Sequence, residues 1–225
     1  MIWLDLRFDG PFPPLVRRLG AVLRFADAYT GQPVRVPLVV TIPALGWTAL
    51  RIERDATYRF STSNQPPPPA APYSVTVEAP GGEYTALEPV AVTLPRPPVA
   101  HPPPVRFNDY LVQPDPKLWP TRAARAAPGE TVIIGRLVNN ASGAAMAAHK
   151  VVLFQGAVAP AEPYARTDSN GDFFYRLPGL KTQTALVNLN VEVRNPANSV
   201  VPVVSPAGPF QVRAGTVVPD LVLRI

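Results

Sequence analysis

The sequence contains no cysteine and only two histidines, His101 and His149. The absence of cysteine excludes disulfides, thiolate metal sites and a cysteine nucleophile. No run approaches the roughly 18 consecutive apolar residues that a membrane-spanning helix needs. The first residues, Met1–Arg7, lack the basic segment followed by an apolar stretch that marks a secretory signal. We therefore expect no membrane span and assembly in the cytoplasm without a signal peptide, with a virion or released particle as one destination.

Motifs of enzymes and cofactor-binding proteins are also missing. The sequence has no H-E-x-x-H, no phosphate-binding loop and no G-x-G-x-x-G. His101 lies inside a proline-rich run, and His149 stands beside Lys150 at the start of a predicted strand. A Ser-His-Asp triad would need one of these histidines packed against partners that the sequence does not identify. The sequence thus predicts no catalytic residue, no metal-binding residue and no cofactor, and we interpret the protein as not an enzyme.

Proline and arginine are the residue types in excess. The 225 residues include 31 prolines but only 14 glycines, while 47% of the chain is apolar, which is enough for a packed core. The prolines are therefore expected at strand ends, turns and linkers. The net charge is +5, and 18 of the 21 basic residues are arginine. Because these arginines are mostly scattered singly along predicted strands, we interpret them as solvated strand faces and expect no nucleic-acid partner.

Short apolar runs bounded by Pro, Gly, Asn and Asp recur along the chain, and they are rich in β-branched and aromatic residues. No window of 12 or more residues keeps a helical period. The best helix candidate, Thr121–Ala127, is stopped by Pro128-Gly129, and an irregular linker is the alternative. The predicted strands are Val36–Ile42, Tyr73–Val77, Val90–Leu94, Val132–Val138, Lys150–Phe154, Phe173–Leu177, Leu186–Val193 and Val217–Ile225.

Two similar segments follow one another with a period of roughly 112–116 residues. Each carries several short strands separated by turn signals, which favours a β-sandwich. The matched pairs, first copy before second, are Val22–Asp27 with Ile134–Asn139, Leu38–Val40 with Lys150–Val152, Thr57–Phe60 with Asp172–Tyr175, Val75–Glu78 with Leu189–Glu192, and Pro89–Leu94 with Pro219–Arg224.

A proline-rich stretch separates the two copies. The run Pro95–Pro104 is expected to form a stiff polyproline II rod of roughly 30 Å, at about 3.1 Å per residue. We therefore predict a first β-sandwich over residues 1–94, a proline-rich linker over 95–128 and a second β-sandwich over 129–225. A second run, Pro66–Pro69, predicts a rigid loop within the first domain.

The second copy carries a family resemblance. Its residues Gly135–Asn139, Thr167–Phe173 and Leu177–Leu180 resemble the carboxypeptidase regulatory-like domain, a transthyretin-like Greek-key sandwich. The first copy is similar through Asp27–Val34 and Tyr73–Gly81, but it has no Asn-Gly hairpin. The resemblance implies an all-β fold of two tandem Greek-key (transthyretin-like or Ig-like) β-sandwich domains joined by a proline-rich extended linker. It implies little about function, because such sandwiches have many roles.

The segment Asp168–Asp172 contains the dipeptide Asn170-Gly171, which predicts a structural turn. Both residues tolerate positive φ, as a type I′ hairpin turn requires. A weak cation site in Asp168–Asp172 is the alternative, although its glycine does not stand where a calcium-binding EF-hand loop places one.

Three further features are kept as alternatives. Some related sandwiches carry a self-formed Lys–Asn isopeptide bond, for which Lys150 and either Asn188 or Asn190 are the candidates in this chain. Trp47 lies in a predicted loop, where it is either a core residue or an exposed residue that contacts sugar or protein. Trp119 lies in the predicted linker, as a peg packed on a neighbouring domain or as a binding residue.

These observations lead to one principal functional hypothesis and one alternative. The first is a non-enzymatic structural or adaptor protein that contacts other protein subunits in an oligomeric assembly, of the phage-tail or contractile-injection-system type. The alternative is a carbohydrate-binding or adhesive β-sandwich module, in which case a glycan is the partner. Both follow from tandem sandwiches without a catalytic constellation, and the first is an analogy of fold.

Overall fold

The computed structural model describes residues 5–6, 17–63, 68–94, 110–124, 129–161, 163–177 and 186–225. Over these residues the chain is built of β-strands, with a short 3₁₀ helix at Pro43–Leu45, so the predicted all-β class is confirmed. None of the helical structure within these ranges has the length and apolarity that a bilayer crossing requires. The chain divides into two compact units. Unit 1 comprises Met1–Asp27 and Gly31–Leu118, and unit 2 comprises Ala28–Thr30 and Trp119–Ile225.

Unit 1 contains three sheets. One has the strand order β1-β2-β7-β6, another β10-β8-β4-β5, and a short third β3-β11-β9. Strand β3 pairs with β11 in parallel. The pairs β1–β2, β2–β7, β6–β7, β4–β5, β4–β8 and β8–β10 are antiparallel. The strands are β1 Asp5–Leu6, β2 Arg17–Arg24, β3 Ala26–Asp27, β4 Val39–Ile42, β5 Trp47–Thr48, β6 Leu50–Ile52, β7 Thr57–Ser63, β8 Ala71–Glu78, β9 Tyr84–Thr85, β10 Val90–Leu94 and β11 Lys117–Pro120, of which the last begins in unit 1 and ends in unit 2.

The core of unit 1 is formed by alternate side chains of its strands. In β10 the burial pattern alternates strictly, as expected for a strand with one face on the core. Phe25 and Tyr58 meet edge to face, with ring centroids 5.6 Å apart. The Tyr58 hydroxyl accepts a hydrogen bond from the Leu38 backbone N–H at 3.0 Å and donates one to the Val36 carbonyl. This core also contains Leu23, Ile42, Phe60, Val92, Leu94 and Leu118.

Unit 2 contains two principal sheets. One has the order β15-β12-β19, in which β12 pairs antiparallel with β15 and parallel with β19. The other has the order β14-β13-β16-β17, and β18 also pairs with β16. The strands are β12 Thr131–Val138, β13 Lys150–Phe154, β14 Ala165–Arg166, β15 Asp172–Leu177, β16 Leu186–Arg194, β17 Val200–Val201, β18 Phe210–Arg213 and β19 Val217–Arg224.

The core of unit 2 includes a residue from far earlier in the sequence. Tyr29 is 7% exposed, and its ring meets that of Tyr175 edge to face at 5.3 Å. Its hydroxyl donates a hydrogen bond to the Phe174 carbonyl at 2.9 Å. The Tyr175 hydroxyl in turn donates to the carbonyls of Leu153 and Pro163. The other fully buried residues of this core include Ile133, Leu137, Leu189 and Leu223.

The predicted strands agree closely with the observed ones, and Val90–Leu94 and Lys150–Phe154 have the predicted bounds. The largest difference is the predicted strand Val36–Ile42, which begins only at Val39. Pro37 has no N–H to give to a ladder, and the Leu38 N–H is taken by the Tyr58 hydroxyl. Of the helix candidate Thr121–Ala127, the described part, residues 121–124, forms a turn in which the Ala124 N–H bonds the Thr121 carbonyl.

Strand pairing supports the internal repeat but corrects one of its matches. In unit 1, β2 pairs with β7 and β4 with β8, and the matched strands of unit 2 pair in the same way. The last match, Pro89–Leu94 with Pro219–Arg224, is wrong. Strand β10 pairs with β8 in the way that β18 pairs with β16, so the counterpart of β10 is β18 and not β19. A proline precedes β10, β18 and the second half of β19 alike, so this signal did not discriminate between them.

The parallel partner of β12 has its counterpart in a segment that we assigned to the linker. Leu111 forms a parallel bridge with Val22 on β2, and the Val112 N–H bonds the Val22 carbonyl at 2.9 Å. Tyr110, beside it, is 1% exposed and packs with Leu19 and Val22. Of the predicted linker 95–128, residues 110–118 thus belong to unit 1 and 119–124 to unit 2. The proline run Pro95–Pro104, with His101, lies outside the described residues, as do residues 66–67 and 178–180.

Candidate functional site

The turn Asp168–Asp172 joins β14 of one sheet to β15 of the other, and we call it the hairpin. It is closed by the side chain of Asp168. Its carboxylate accepts hydrogen bonds from the backbone N–H groups of Asn170 at 2.8 Å and Asp172 at 2.9 Å. The Gly171 N–H bonds the Asp168 carbonyl, and the Asp168 N–H bonds the Asp172 carbonyl. Gly171 has a φ of 74°, but Asn170 is not among the described residues with positive φ. The predicted type I′ turn is therefore corrected to a turn with one left-handed residue, the glycine of a G1-type bulge.

Gly171 also lies against β12. Its carbonyl accepts a hydrogen bond from the Leu137 N–H at 2.8 Å, so the two backbones are in close contact. A β-carbon placed on Gly171 would overlap the Leu137 carbonyl oxygen. The position thus needs glycine for two reasons, its φ and its proximity to a neighbouring strand.

The hairpin positions Asp172 at the centre of an ion-pair cluster. In the β12–β15 register Asp172 lies directly opposite Arg136. The Arg136 Nε donates to Asp172 Oδ1 at 2.7 Å and its Nη2 to Oδ2 at 3.2 Å, a bidentate pair. Arg122 adds a third bond, from Nη1 to Oδ2 at 3.3 Å. Both guanidinium side chains remain 52% exposed, whereas the carboxylate is 13% exposed.

The electrostatics of the cluster follow from these contacts. The hydrogen bond from Arg136, followed by its charge and that of Arg122, holds the pKa of Asp172 below its usual value despite partial burial. The pKa of Arg136 is raised, first by its bond to Asp172 and then by the charges of Asp172, Asp168 and Asp220. Asp172 is therefore ionised at neutral pH, and Arg136 keeps its charge.

A β-bulge brings Asp220 beside this cluster. The β12–β19 register shifts between Ile133 and Gly135, so that Pro219 and Asp220 occupy the place of one residue. Asp220 has a φ of 57°, which is uncommon for a residue with a side chain. Pro219 cannot donate to a ladder and is accommodated at such a bulge on an edge strand.

These residues line a half-open cavity of about 210 Å³ on unit 2. Charged groups and apolar strand residues share its lining, so that it can make both ionic and apolar contacts. The lining residues are Arg122, Ile134, Gly135, Arg136, Asp172, Asp220 and Val222. It is the candidate site of this protein, and hereafter we call it the Arg136 cavity.

The hairpin Asp168–Asp172 is less suited to a cation than its sequence indicates. Asp168 uses one carboxylate oxygen to hold the turn, and both oxygens of Asp172 are bound by arginine. Within the described ranges, no three His, Cys, Asp or Glu side chains are grouped so that they could hold a metal ion. The alternative of a cation site thus receives no support from the geometry.

The two tryptophans predicted as interaction residues lie in different surroundings. Trp47, on β5, is half-buried and packs against the core of unit 1. Trp119 is 4% exposed, its indole N–H donates to the Tyr164 carbonyl at 2.9 Å, and its ring lies 5.4 Å from that of Tyr164. Trp119 is thus part of the packing of unit 2, whereas Trp47 keeps part of its surface exposed.

The geometry excludes the proposed isopeptide bond. Lys150 pairs with Arg194 on β16, while Asn190 pairs with Phe154 at the other end of the same ladder. Four residue steps separate them, roughly 13 Å at about 3.3 Å per residue. The Lys150 ammonium lies 4.5 Å from the centre of the Tyr164 ring, and the Asn190 amide donates to the Gly156 carbonyl. Asn188 lies further along β16, opposite Gln211 on β18.

His149 is buried and engaged locally. Its Nδ1 lies 2.8 Å from the Ala147 carbonyl oxygen, and its backbone N–H bonds the Thr167 hydroxyl. These contacts fasten the start of β13 to the segment before the hairpin, which is a structural role.

The residues of the Arg136 cavity were not singled out together from the sequence. Arg136 was interpreted as one of the solvated strand arginines, Arg122 was assigned to the linker 95–128, and Asp220 was noted only as part of a strand. Three strands distant in sequence, β12, β15 and β19, form this site together with the turn that carries Arg122. The one usable signal was the position of Asp172 at the end of the predicted turn, which fixes where β15 begins.

Comparison with known proteins identifies no family. No protein-family model and no curated protein matches the chain. Among solved structures, it is similar to a DUF3823 family protein from Parabacteroides merdae. The match has 16% identity and a TM-score of 0.28, and it covers 44% of this chain and 46% of that chain. It is also similar to BcpA, the major pilin subunit of Bacillus cereus. That match has 9% identity and a TM-score of 0.28, and it covers 94% of this chain and 63% of that chain.

A third similar structure is the shaft pilin SpaA from Lactobacillus rhamnosus GG. The match has 10% identity and a TM-score of 0.26, and it covers 93% of this chain and 97% of that chain. The chain spans less than half of the DUF3823 protein and less than two thirds of BcpA. At these TM-scores the likeness carries no argument about function.

Proposed function

We propose that the chain is a non-enzymatic module that makes protein–protein contacts in a larger assembly. The observation that carries this proposal is the distribution of exposed apolar side chains. Among the described residues, eight large aliphatic side chains are exposed, and six of them belong to unit 2. The six are Val158, Leu186, Val200, Val204, Val217 and Val222.

Most of these side chains stand on ordered strands. Leu186 is on β16, Val200 on β17, and Val217 and Val222 on β19, with 42–61% of each exposed. Because strand residues have fixed directions, they can meet a partner surface with little loss of conformational freedom. Burying apolar surface contributes about 25 cal/mol per Å², so a partner that covers several of them gains binding energy from each.

The chemistry of the charged groups points the same way. Asp172 is bound by two arginines, and His149 is held against a backbone carbonyl. Groups with these partners stabilise the fold and are poorly placed to act as a base or nucleophile. Unit 2 thus offers a surface rather than a reaction centre.

Two matched substitutions test the proposal. Leu186 in unit 2 is 61% exposed, and Leu50 in unit 1 is 59% exposed. We expect the wild type and Leu50→Ser to form the same assembly, either of the chain with itself or with co-purifying subunits. Leu186→Ser should weaken that assembly at an unchanged melting temperature. Sedimentation velocity and mass spectrometry of the native complex measure both.

Two results would overturn the proposal. One is a wild-type chain that stays monomeric up to high micromolar concentration and co-purifies with no other subunit. The other is an equal loss of assembly in Leu50→Ser and Leu186→Ser, which would assign no special role to unit 2.

The finer identity of the assembly remains a proposal. If the assembly is a phage tail or a contractile injection system built in the cytoplasm, the chain should co-sediment with a large particle. The carbohydrate-binding alternative depends on Trp47. Part of its surface is exposed, and a sugar could bind there. It predicts glycan binding that Trp47→Ala abolishes, and a glycan array without signal for the wild type removes it.

A further inference from the structure

The Arg136 cavity has hydrogen-bond donors that the protein does not use. Each guanidinium carries five N–H donors. Arg136 donates two hydrogen bonds to Asp172, and Arg122 donates one to the same carboxylate. Asp172 already accepts on both oxygens, so it does not satisfy the remaining donors. Half of each guanidinium side chain is exposed, and both arginines line the cavity.

The same cavity has one carboxylate without a hydrogen-bond partner among the described residues. Asp220 is exposed, and the bulge on β19 places it in the cavity lining. Its charge acts on Arg136, but no donor of the described chain contacts it. The cavity therefore presents unused cationic donors and one unused anionic acceptor.

Apolar side chains complete the lining. Ile134 is half-buried, and Val222 is 42% exposed and lies directly opposite Arg136 in the β12–β19 register. Ile134 is two residues from Arg136 on the same strand, and therefore on the same face of the sheet. The ionic groups and the apolar groups are thus neighbours on one face.

The size of the cavity limits the ligand. The cavity measures about 210 Å³. Pockets for drug-sized ligands hold roughly 300–1,000 Å³. A ligand of the size of a single amino acid matches this space.

We propose that the Arg136 cavity binds a free α-amino acid with an apolar side chain. The α-carboxylate is bound by the guanidinium N–H groups of Arg122 and Arg136, in the geometry that arginine offers to carboxylates. The α-ammonium group is bound by Asp220, and the side chain lies on Ile134 and Val222. A ligand with only a negative charge is repelled by Asp220, and one with only a positive charge by the arginines. This inference goes beyond the contact function and does not depend on it.

The experiment compares a zwitterion with its two singly charged derivatives. The probes are leucine, N-acetyl-leucine and leucinamide, added to the full chain and followed by backbone NMR shifts. We expect leucine to bind in the millimolar range, with shifts at Gly135, Arg136 and Asp220. N-acetyl-leucine lacks the ammonium and leucinamide the carboxylate, and each should bind at least tenfold more weakly. Valine and methionine should bind like leucine.

Three variants locate the binding. Asp220→Asn should weaken leucine binding about tenfold but leave N-acetyl-leucine unaffected or slightly tighter. Arg122→Gln should weaken leucine and N-acetyl-leucine alike. Asp55→Asn, an exposed acid in unit 1, is the matched control and should change neither. Failure of all three amino acids to shift any resonance at tens of millimolar, equal binding of leucine and leucinamide, or binding that survives in both cavity variants would overturn the proposal.

Discussion

The ring of Phe173 lies directly over Gly135. The two residues are opposite each other in the β12–β15 register, and a β-carbon on Gly135 would overlap the ring. On the other side it would come within 2.7 Å of the Leu221 carbonyl oxygen. Gly135 therefore leaves the space that lets a buried aromatic side chain of β15 pack over β12, next to the bulge of β19.

Gly135→Ala should lower the free energy of unfolding of unit 2 by about 1–3 kcal/mol, because the new methyl group overpacks this space. Urea denaturation followed by far-ultraviolet circular dichroism measures it, because this signal reports the strands of both units. Gly20→Ala on β2 is the control, because its β-carbon has no neighbour closer than 3.4 Å. If both substitutions prove equally mild, the ring of Phe173 does not occupy the space assigned to it.

Two glycines with nearly equal φ separate conformational strain from steric overlap. Gly171 has a φ of 74° and lies against the Leu137 carbonyl, whereas Gly143 has a φ of 70° and open space around it. Gly143→Ala should destabilise by roughly 1–2 kcal/mol, the cost of a left-handed alanine. Gly171→Ala should cost at least about 1 kcal/mol more. Thermal unfolding compares them, and equal losses would contradict the close approach of the hairpin to β12.

The extent to which this fold was predictable depends on the range of each interaction. Strands such as Val90–Leu94 were predictable because alternation and flanking prolines are local signals. The role of Tyr29 was not, because its partners Phe174 and Tyr175 lie some 145 residues away. Tyr110 and Leu111 were assigned to the linker for a similar reason, since their proline-rich surroundings outweighed two apolar residues whose contacts are with β2.

The candidate site was predictable only at its hairpin. Asp168 and Gly171 are close in sequence, and their turn could be inferred from residue type alone. The meeting of Arg136 with Asp172 and Asp220 depends on two strand registers and a bulge. A register shift of one residue would turn Arg136 to the opposite face, and nothing in the local sequence fixes that choice.

Asp172→Asn should remove a pH-dependent contribution to stability. Because Arg136 lowers the pKa of Asp172 in the folded state, the ion pair contributes fully above the unfolded pKa near 3.9. The contribution is lost as the pH falls through the lower folded pKa. The free energy of unfolding of the wild type should exceed that of Asp172→Asn by at most about 1 kcal/mol at neutral pH, because both arginines are half exposed.

The measurement is urea denaturation of both proteins from neutral pH to about pH 2, near the lower limit of such carboxylates. The difference between the two curves should shrink towards zero at the acidic end. A difference that is constant over the whole range would show that the ionised carboxylate of Asp172 contributes nothing beyond the amide that replaces it.

Tyr175→Phe should have the opposite pH dependence. The Tyr175 hydroxyl donates to the Leu153 carbonyl at 3.0 Å and the Pro163 carbonyl at 2.9 Å, and the side chain is 1% exposed. Removing it leaves two carbonyls without this donor, and we expect a loss of about 1–2 kcal/mol at neutral pH. Burial raises the pKa of Tyr175 to about 12.

Because the unfolded chain ionises its tyrosines near pH 10, the wild type should lose stability as the pH rises from about 10 to about 12. Tyr175→Phe lacks this group, so its free energy of unfolding should fall less over the same interval, and the two curves should converge. Alkaline denaturation in urea measures the difference in stability, and the difference in tyrosinate absorbance between the two folded proteins reports the ionisation of Tyr175. Curves that stay parallel to pH 12 would mean that the Tyr175 hydroxyl ionises as readily in the folded protein as in the unfolded chain.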